Sequence, residues 1–107
     1  MWWADFGRPQ GSAAGYRRPV VVVQSNDYNR SGISTAVVVP LTTNLALAQA
    51  PGNVLCRPRA SGLPKPSVAN VSLVTAVDRS HLLQHVGRLP ETVMREVSDG
   101  LRLLLSL

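Results

Sequence analysis

Four consecutive valines, Val20 to Val23, and a second run at Val37-Val38-Val39-Pro40-Leu41 constrain this chain more than any other feature. Branched side chains suit a pleated surface, and short runs of them bounded by Gly, Pro, Asn and Ser mark strands. On that pattern strands are predicted at about Trp2–Phe6, Pro19–Gln24, Thr35–Leu41, Asn53–Arg57 and Val68–Val77. Between the first two lies GRPQGSAAGY, rich in small residues and without periodicity, which reads as a mobile surface loop. Residues 25 to 32, SNDYNRSG, read as a turn-rich connection. Residues 58 to 67, PRASGLPKPS, read as another connection, because their three prolines break strand and helix alike.

The last third changes period. From Pro90, a residue suited to the first helical position, Val93, Met94, Val97, Leu101, Leu104 and Leu105 fall on one stripe at helical spacing. Arg95, Asp99, Arg102 and Ser106 fall opposite, and Glu91 stands four residues before Arg95, where the two charges meet on a helix. Leu103 and Leu107 lie outside the stripe and suggest further covered surface such as a subunit contact, while Gly100 inside the helix implies close packing. DRSHLL, residues 78 to 83, reads as a short helix. Short strands closed by a helix predict an α+β fold, most simply a small curled sheet or barrel. At 107 residues a single domain spanning 1–107 is expected.

No apolar run approaches the roughly 20 residues that cross a bilayer, so no membrane association is expected. The opening MWWADF lacks the pattern of a secretory signal, which predicts a cytoplasmic protein. The single Cys56 reads as a core-strand thiol. The net charge of +5 is unevenly spread. Residues 1 to 70 hold seven basic groups against two acidic, and residues 71 to 107 hold four of each. Arginine dominates, and its planar fork suits phosphate oxygens, so nucleic acid is the leading partner and an acidic protein the second.

The carboxylates are scattered, which disfavours a magnesium site, and no cofactor is expected. His81 and His85 have metal spacing on a helix but lack a third ligand nearby, and they read as surface residues. No serine sits in a nucleophile elbow. What remains is Ser12, Arg17, Arg18, Asn26, Asn29, Arg30, Thr42, Thr43 and Asn44. If the strands of Arg18 and Thr42 are antiparallel neighbours, the start of one meets the end of the other, and guanidinium and hydroxyl together can hold a phosphate. RNA supplies its own nucleophile in the 2′-hydroxyl, so a site that splays the backbone and stabilises a five-coordinate phosphorus needs no metal. Arginine stays protonated and is a poor general base, and no proton acceptor is identified from the sequence. Asn26, Asn29 and Asn44 are turn formers first and base readers second.

GSAAGYRRPVVVVQSND, then VVVPLTTN, PGNVL, GLPKPS, VDRSHL and VGRL, resemble the MazF/PemK toxins of bacterial toxin–antitoxin systems over nearly the whole chain. The Gly-Ser loop leading into Arg-Pro and a valine strand, together with the Pro-Leu-Thr step, carries most of the likeness. The resemblance implies an SH3-like small β-barrel with a C-terminal helix packed on the sheet, a homodimer, and sequence-selective, metal-independent cleavage of single-stranded RNA at short sites, restrained by a MazE-like antitoxin with an acidic tail. It implies that Arg18 and Thr42 are the catalytic pair and that Gly11 and Ser12 belong to the RNA-binding loop. Ala13 departs from the glutamate that many members carry, and Leu73 stands where glutamine is common. Members also usually have a few residues before the aromatic start. Two alternatives share the fold: a gyrase inhibitor of the CcdB kind, and an RNA-binding domain without catalysis.

Overall fold

The computed structural model describes residues 1–7 and 16–107. Seven strands form one antiparallel sheet: β1 (Trp2–Asp5), β2 (Arg17–Val22), β3 (Thr35–Thr42), β4 (Val54–Cys56), β5 (Ser67–Ala69), β6 (Thr75–Asp78) and β7 (Leu82–His85). Three helices accompany them: α1 (Asn26–Arg30), α2 (Pro58–Ser61) and α3 (Glu91–Leu105). The pairing order is β4-β5-β3-β2-β1-β7, with β6 also on β3. That path is open among the described residues, so the expected barrel is an unclosed sheet with α3 packed against it.

The valine runs now have a physical reason. β2 and β3 pair as Val20↔Pro40, Val21↔Val39 and Val22↔Val38 at the middle of the sheet. Alternate side chains enter two cores, as the pleat requires. Val21, Val39 and Leu41 join one with Val54, Val71 and Val97 of α3. Val20, Val38 and Ala36 join the other with Ala4 and Val77. Strands buried on both faces read as unbroken apolar runs rather than alternating ones. Cys56 lies in the first core with its thiol pushed to a higher pKa by burial, as a core-strand cysteine should be.

Three expectations about where the elements fall are corrected. The strand predicted over Val68–Val77 is two strands, β5 and β6, separated by a 3-10 turn at Val71–Leu73 that includes Leu73. The cause lies across the sheet. Asn70 donates its backbone N–H to the Pro40 carbonyl at 2.9 Å, so Pro40 presents its carbonyl, and hence the place of its missing N–H, toward this segment. No ladder continues past a residue that cannot donate. The break is stitched by side chains instead: Asn53 donates to the Leu47 carbonyl at 2.9 Å and accepts from the Val71 N–H at 3.0 Å. Asn53→Ala is therefore expected to destabilise the protein by about 1–3 kcal/mol through stranded backbone groups, read as a lower urea midpoint at unchanged slope. An unchanged midpoint would contradict this.

The second correction concerns residues 78 to 85. DRSHLL forms a 3-10 turn at Arg79–His81 and then β7, which pairs with β1. His81 and His85 therefore share no helix face, and the His85 ring packs edge-on against Trp2 at 5.0 Å. The third concerns the connections: SNDYNRSG contains α1, and PRASGLPKPS contains the single turn α2, which Pro58 starts and Gly62 ends in the left-handed region at φ 74°.

Helix α3 buries Val97 and Gly100 and half-buries Val93, Met94 and Leu101. Leu104 and Leu105 were expected on the same buried stripe but are 43% and 53% exposed. The Glu91–Arg95 pair forms at 3.1 Å.

Candidate functional site

Arg18 follows from strand geometry. β2 is held on one side by β1, with Ala4↔Arg18 and Asp5↔Arg17, and on the other by β3. Extending the β2–β3 register beyond Val20↔Pro40 sets Arg18 across from Thr42, where the start of one strand meets the end of the other. Both are half-buried, and both line one cleft of about 410 Å³.

Part of the lining comes from a distant part of the chain. After α2, Gly62 turns the backbone by donating its N–H to the Pro58 carbonyl, and Leu63 donates its own to Ser61 Oγ at 3.1 Å. Leu63 drops into the core, and Pro64 and Lys65 return over the cleft. The cleft thus gathers three cations, Arg17, Arg18 and Lys65, with the hydroxyls of Thr42, Thr43 and Ser67. Trp3, Tyr16 and Pro19 complete an apolar side. No carboxylate, histidine or cysteine is among its described lining residues. Nor do three such groups cluster as a ligand set anywhere among the described residues.

Thr42 Oγ1 accepts the Asn44 N–H at 3.2 Å, which orients the hydroxyl and leaves its proton to donate. A guanidinium, hydroxyl donors and an ammonium lining one cleft suit a phosphodiester: charge-assisted hydrogen bonds to its oxygens are short and strong. With no negative group among its described lining residues, such a site favours extra charge developing on the phosphate oxygens.

Four of the residues singled out in the sequence come together here: Arg17, Arg18, Thr42 and Thr43. Asn44 lies just past the cleft, where its side chain accepts the Ala46 N–H and caps the 3-10 turn Leu45–Gln49. Asn26, Asn29 and Arg30 stand beyond the opposite end of β2. There Asn29 Nδ2 donates to the Gln24 carbonyl at 3.2 Å, and Arg30 pairs with Asp27 at 3.1 Å on the surface. They serve the β2–β3 connection and do not join the cleft. Gly11, Ser12 and Ala13 lie outside the described residues. Lys65 and Tyr16 were missed as candidates. Lys65 is the one lysine of the chain and sits between two prolines, a signal in hindsight, but only the α2 turn shows where it points.

Comparisons with known proteins identify the family and the fold. A family model described as a PemK-like, MazF-like toxin of type II toxin–antitoxin systems matches residues 1–105. The chain is 42% identical over 107 residues to the endoribonuclease MazF6 of Mycobacterium tuberculosis, covering 100% of this chain and 94% of that protein. In fold it resembles MazF from Deinococcus radiodurans, with a TM-score of 0.80 at 24% identity over 99% of this chain and 92% of that one. It also resembles an endoribonuclease solved in complex with its cognate antitoxin from a mycobacterial species, with a TM-score of 0.78 at 22% identity over 99% and 90% of the two chains.

Proposed function

The chain belongs to the PemK-like, MazF-like toxin family, and from that premise we propose that it is an endoribonuclease toxin that cuts single-stranded RNA by internal attack of the ribose. The observation that carries this reading is the placement of Arg18 and Thr42 in one cationic cleft whose described lining holds no carboxylate. Arg18 and Thr42 grip the non-bridging oxygens of the scissile phosphate, and Arg17 and Lys65 draw in neighbouring phosphates. The 2′-hydroxyl gives up its proton to water as its oxygen bonds to phosphorus, the bond to the 5′-oxygen breaks, and that 5′-oxygen takes up a proton from water. The products are a 2′,3′-cyclic phosphate and a 5′-hydroxyl. Arg18 stabilises the charge that accumulates in between through its planar fork of N–H donors. No metal or cofactor takes part in this scheme.

Incubating the protein with a long defined transcript in EDTA, then mapping both ends of each cut, tests the proposal. Internal cuts with cyclic phosphate upstream and 5′-hydroxyl downstream are expected. Cuts that appear only with added divalent metal would reject the mechanism, and RNA retained but never cut would leave a binding domain.

The same cleft suits an acidic antitoxin segment, consistent with the mycobacterial relative's complex with its antitoxin. An acidic peptide that blocks cleavage and is itself displaced by RNA would support that partner; one that binds without competing would not. A homodimer is part of the proposal. Leu103 and Leu107 are 62% and 86% exposed, apolar surface suited to a second copy. Sedimentation should show a dimer that Leu103→Asp weakens, and a wild-type monomer at all concentrations would contradict it. No helix among the described residues is long and apolar enough to cross a membrane, and the proposed site of action is the cytoplasm, where the transcripts are.

A further inference from the structure

Tyr16 is an anomaly at the mouth of the cleft. It carries φ 59°, a left-handed conformation disfavoured for a bulky side chain, and apart from Ser106 at the end of α3 it is the only described non-glycine residue with positive φ. The backbone enforces this conformation from both sides. Tyr16 donates its N–H to the Gly7 carbonyl, and its own carbonyl accepts the Phe6 N–H at 2.8 Å. Asp5 Oδ1 in turn accepts the Gly7 N–H at 2.8 Å, so the turn opposite is itself pinned. Glycine at position 16 would satisfy the same bonds without strain.

The ring gives nothing back to the fold. It belongs to neither core cluster and is 66% exposed, yet it lines the cleft beside Arg17 and Arg18. An exposed aromatic on a pinned backbone, lining the same cleft as the Arg18 guanidinium, has the chemistry of a stacking platform. Every unpaired nucleobase offers a π-face, and stacking on aromatics is how single-stranded nucleic acid is held without base-edge readout. A base within a duplex has its faces occupied by its neighbours and cannot use it.

We infer that Tyr16 is a positioning residue that stacks the nucleobase flanking the phosphate held at Arg18, so that the cleft takes only unpaired RNA. This rests on the RNA-cleaving reading above, because it assumes a phosphodiester at Arg18. The contact tolerates any base, so it governs affinity and strandedness rather than the identity of the recognised sequence.

The test uses the full chain, a labelled single-stranded RNA oligonucleotide carrying a site cut in the transcript, and versions with an abasic residue at each flanking position in turn. Tyr16→Gly is expected to keep a Tm at or above wild type while its Kd by anisotropy, and its KM where cleavage is measured, rise by between about 5-fold and about 150-fold. Tyr16→Phe and Tyr16→Trp are expected to stay near wild type. In the wild type one abasic position should be penalised by a similar factor, and in Tyr16→Gly that penalty should vanish. An unchanged Kd in Tyr16→Gly, or an abasic penalty that persists undiminished there, would overturn the inference. If no RNA is cut at all, the ribonuclease reading falls, and a mixed-sequence oligonucleotide still tests Tyr16 by anisotropy. RNA that fails to bind the wild type overturns both.

Discussion

Arg18→Ala is expected to cleave RNA about 10²–10³-fold more slowly than wild type while keeping its fold, the loss typical of removing one preorganised donor from a site of developing charge. The side chain is half-buried at a strand end and enters neither core, so its truncation leaves no large cavity. Arg18→Lys should recover only part of the activity, because an ammonium supplies the charge without the planar fork that binds two oxygens. Thr42→Ala should also slow cleavage, and Thr42→Ser should restore most of it, since the hydroxyl oriented by the Asn44 N–H survives that change. Single-turnover rates on one oligonucleotide, with Tm as the control for folding, read all four variants. Arg18→Ala cleaving at the wild-type rate would end the proposal that this cleft is the active site.

Gly100→Ala should unfold at a markedly lower urea concentration than wild type, against the ordinary rule for helices. In an exposed helix interior the change would stabilise by about 1 kcal/mol, because alanine loses less entropy than glycine. Here α3 crosses the turn at Gly52, and a methyl group on Gly100 would run into the Gly52 carbonyl oxygen. That oxygen is backbone, so it has no rotamer through which to escape. Gly52 holds φ 83° and is itself in close contact with Gly100, so the turn has little freedom to withdraw. Overpacking of this kind costs about 1–3 kcal/mol and outweighs the propensity gain. The net loss, up to about 2 kcal/mol, is a sizeable fraction of the total of about 5–15 kcal/mol for a domain of this kind. Ser98→Ala, on the same helix, provides the control and should follow propensity. A Gly100→Ala protein more stable than wild type would show that the crossing relaxes.

Much of this architecture could be read in the residues before any coordinates. The branched runs place β2 and β3, the helical stripe places α3, and a glycine within that stripe implied the close crossing that Gly52 provides. Hairpin logic carried Arg18 to Thr42, because antiparallel neighbours bring opposite strand ends together and the register observed at Val20↔Pro40 extends to that pair. The failures share a cause. The segment Val68–Val77 has strand composition throughout, and what divides it is the direction in which Pro40 faces, a property of pairing rather than of either segment. Residues 82 to 85 became a strand because β1 offered an edge, although their local pattern read as helix. Asn26, Asn29 and Arg30 were grouped with Arg18 by chemistry, but β2 separates them along its length.

By itself, then, the sequence determined the α+β class, the valine strands, the closing helix and the approach of Arg18 to Thr42, since each of these follows from local periodicity or from the chain direction of adjacent strands. Only the tertiary structure decided that the sheet stays open, that Lys65 returns over the cleft and that Tyr16 stands in a strained conformation at its mouth. Those depend on which side of a strand a carbonyl faces and where a single turn of helix releases the chain, and such long-range choices leave no periodic trace in the residues that make them.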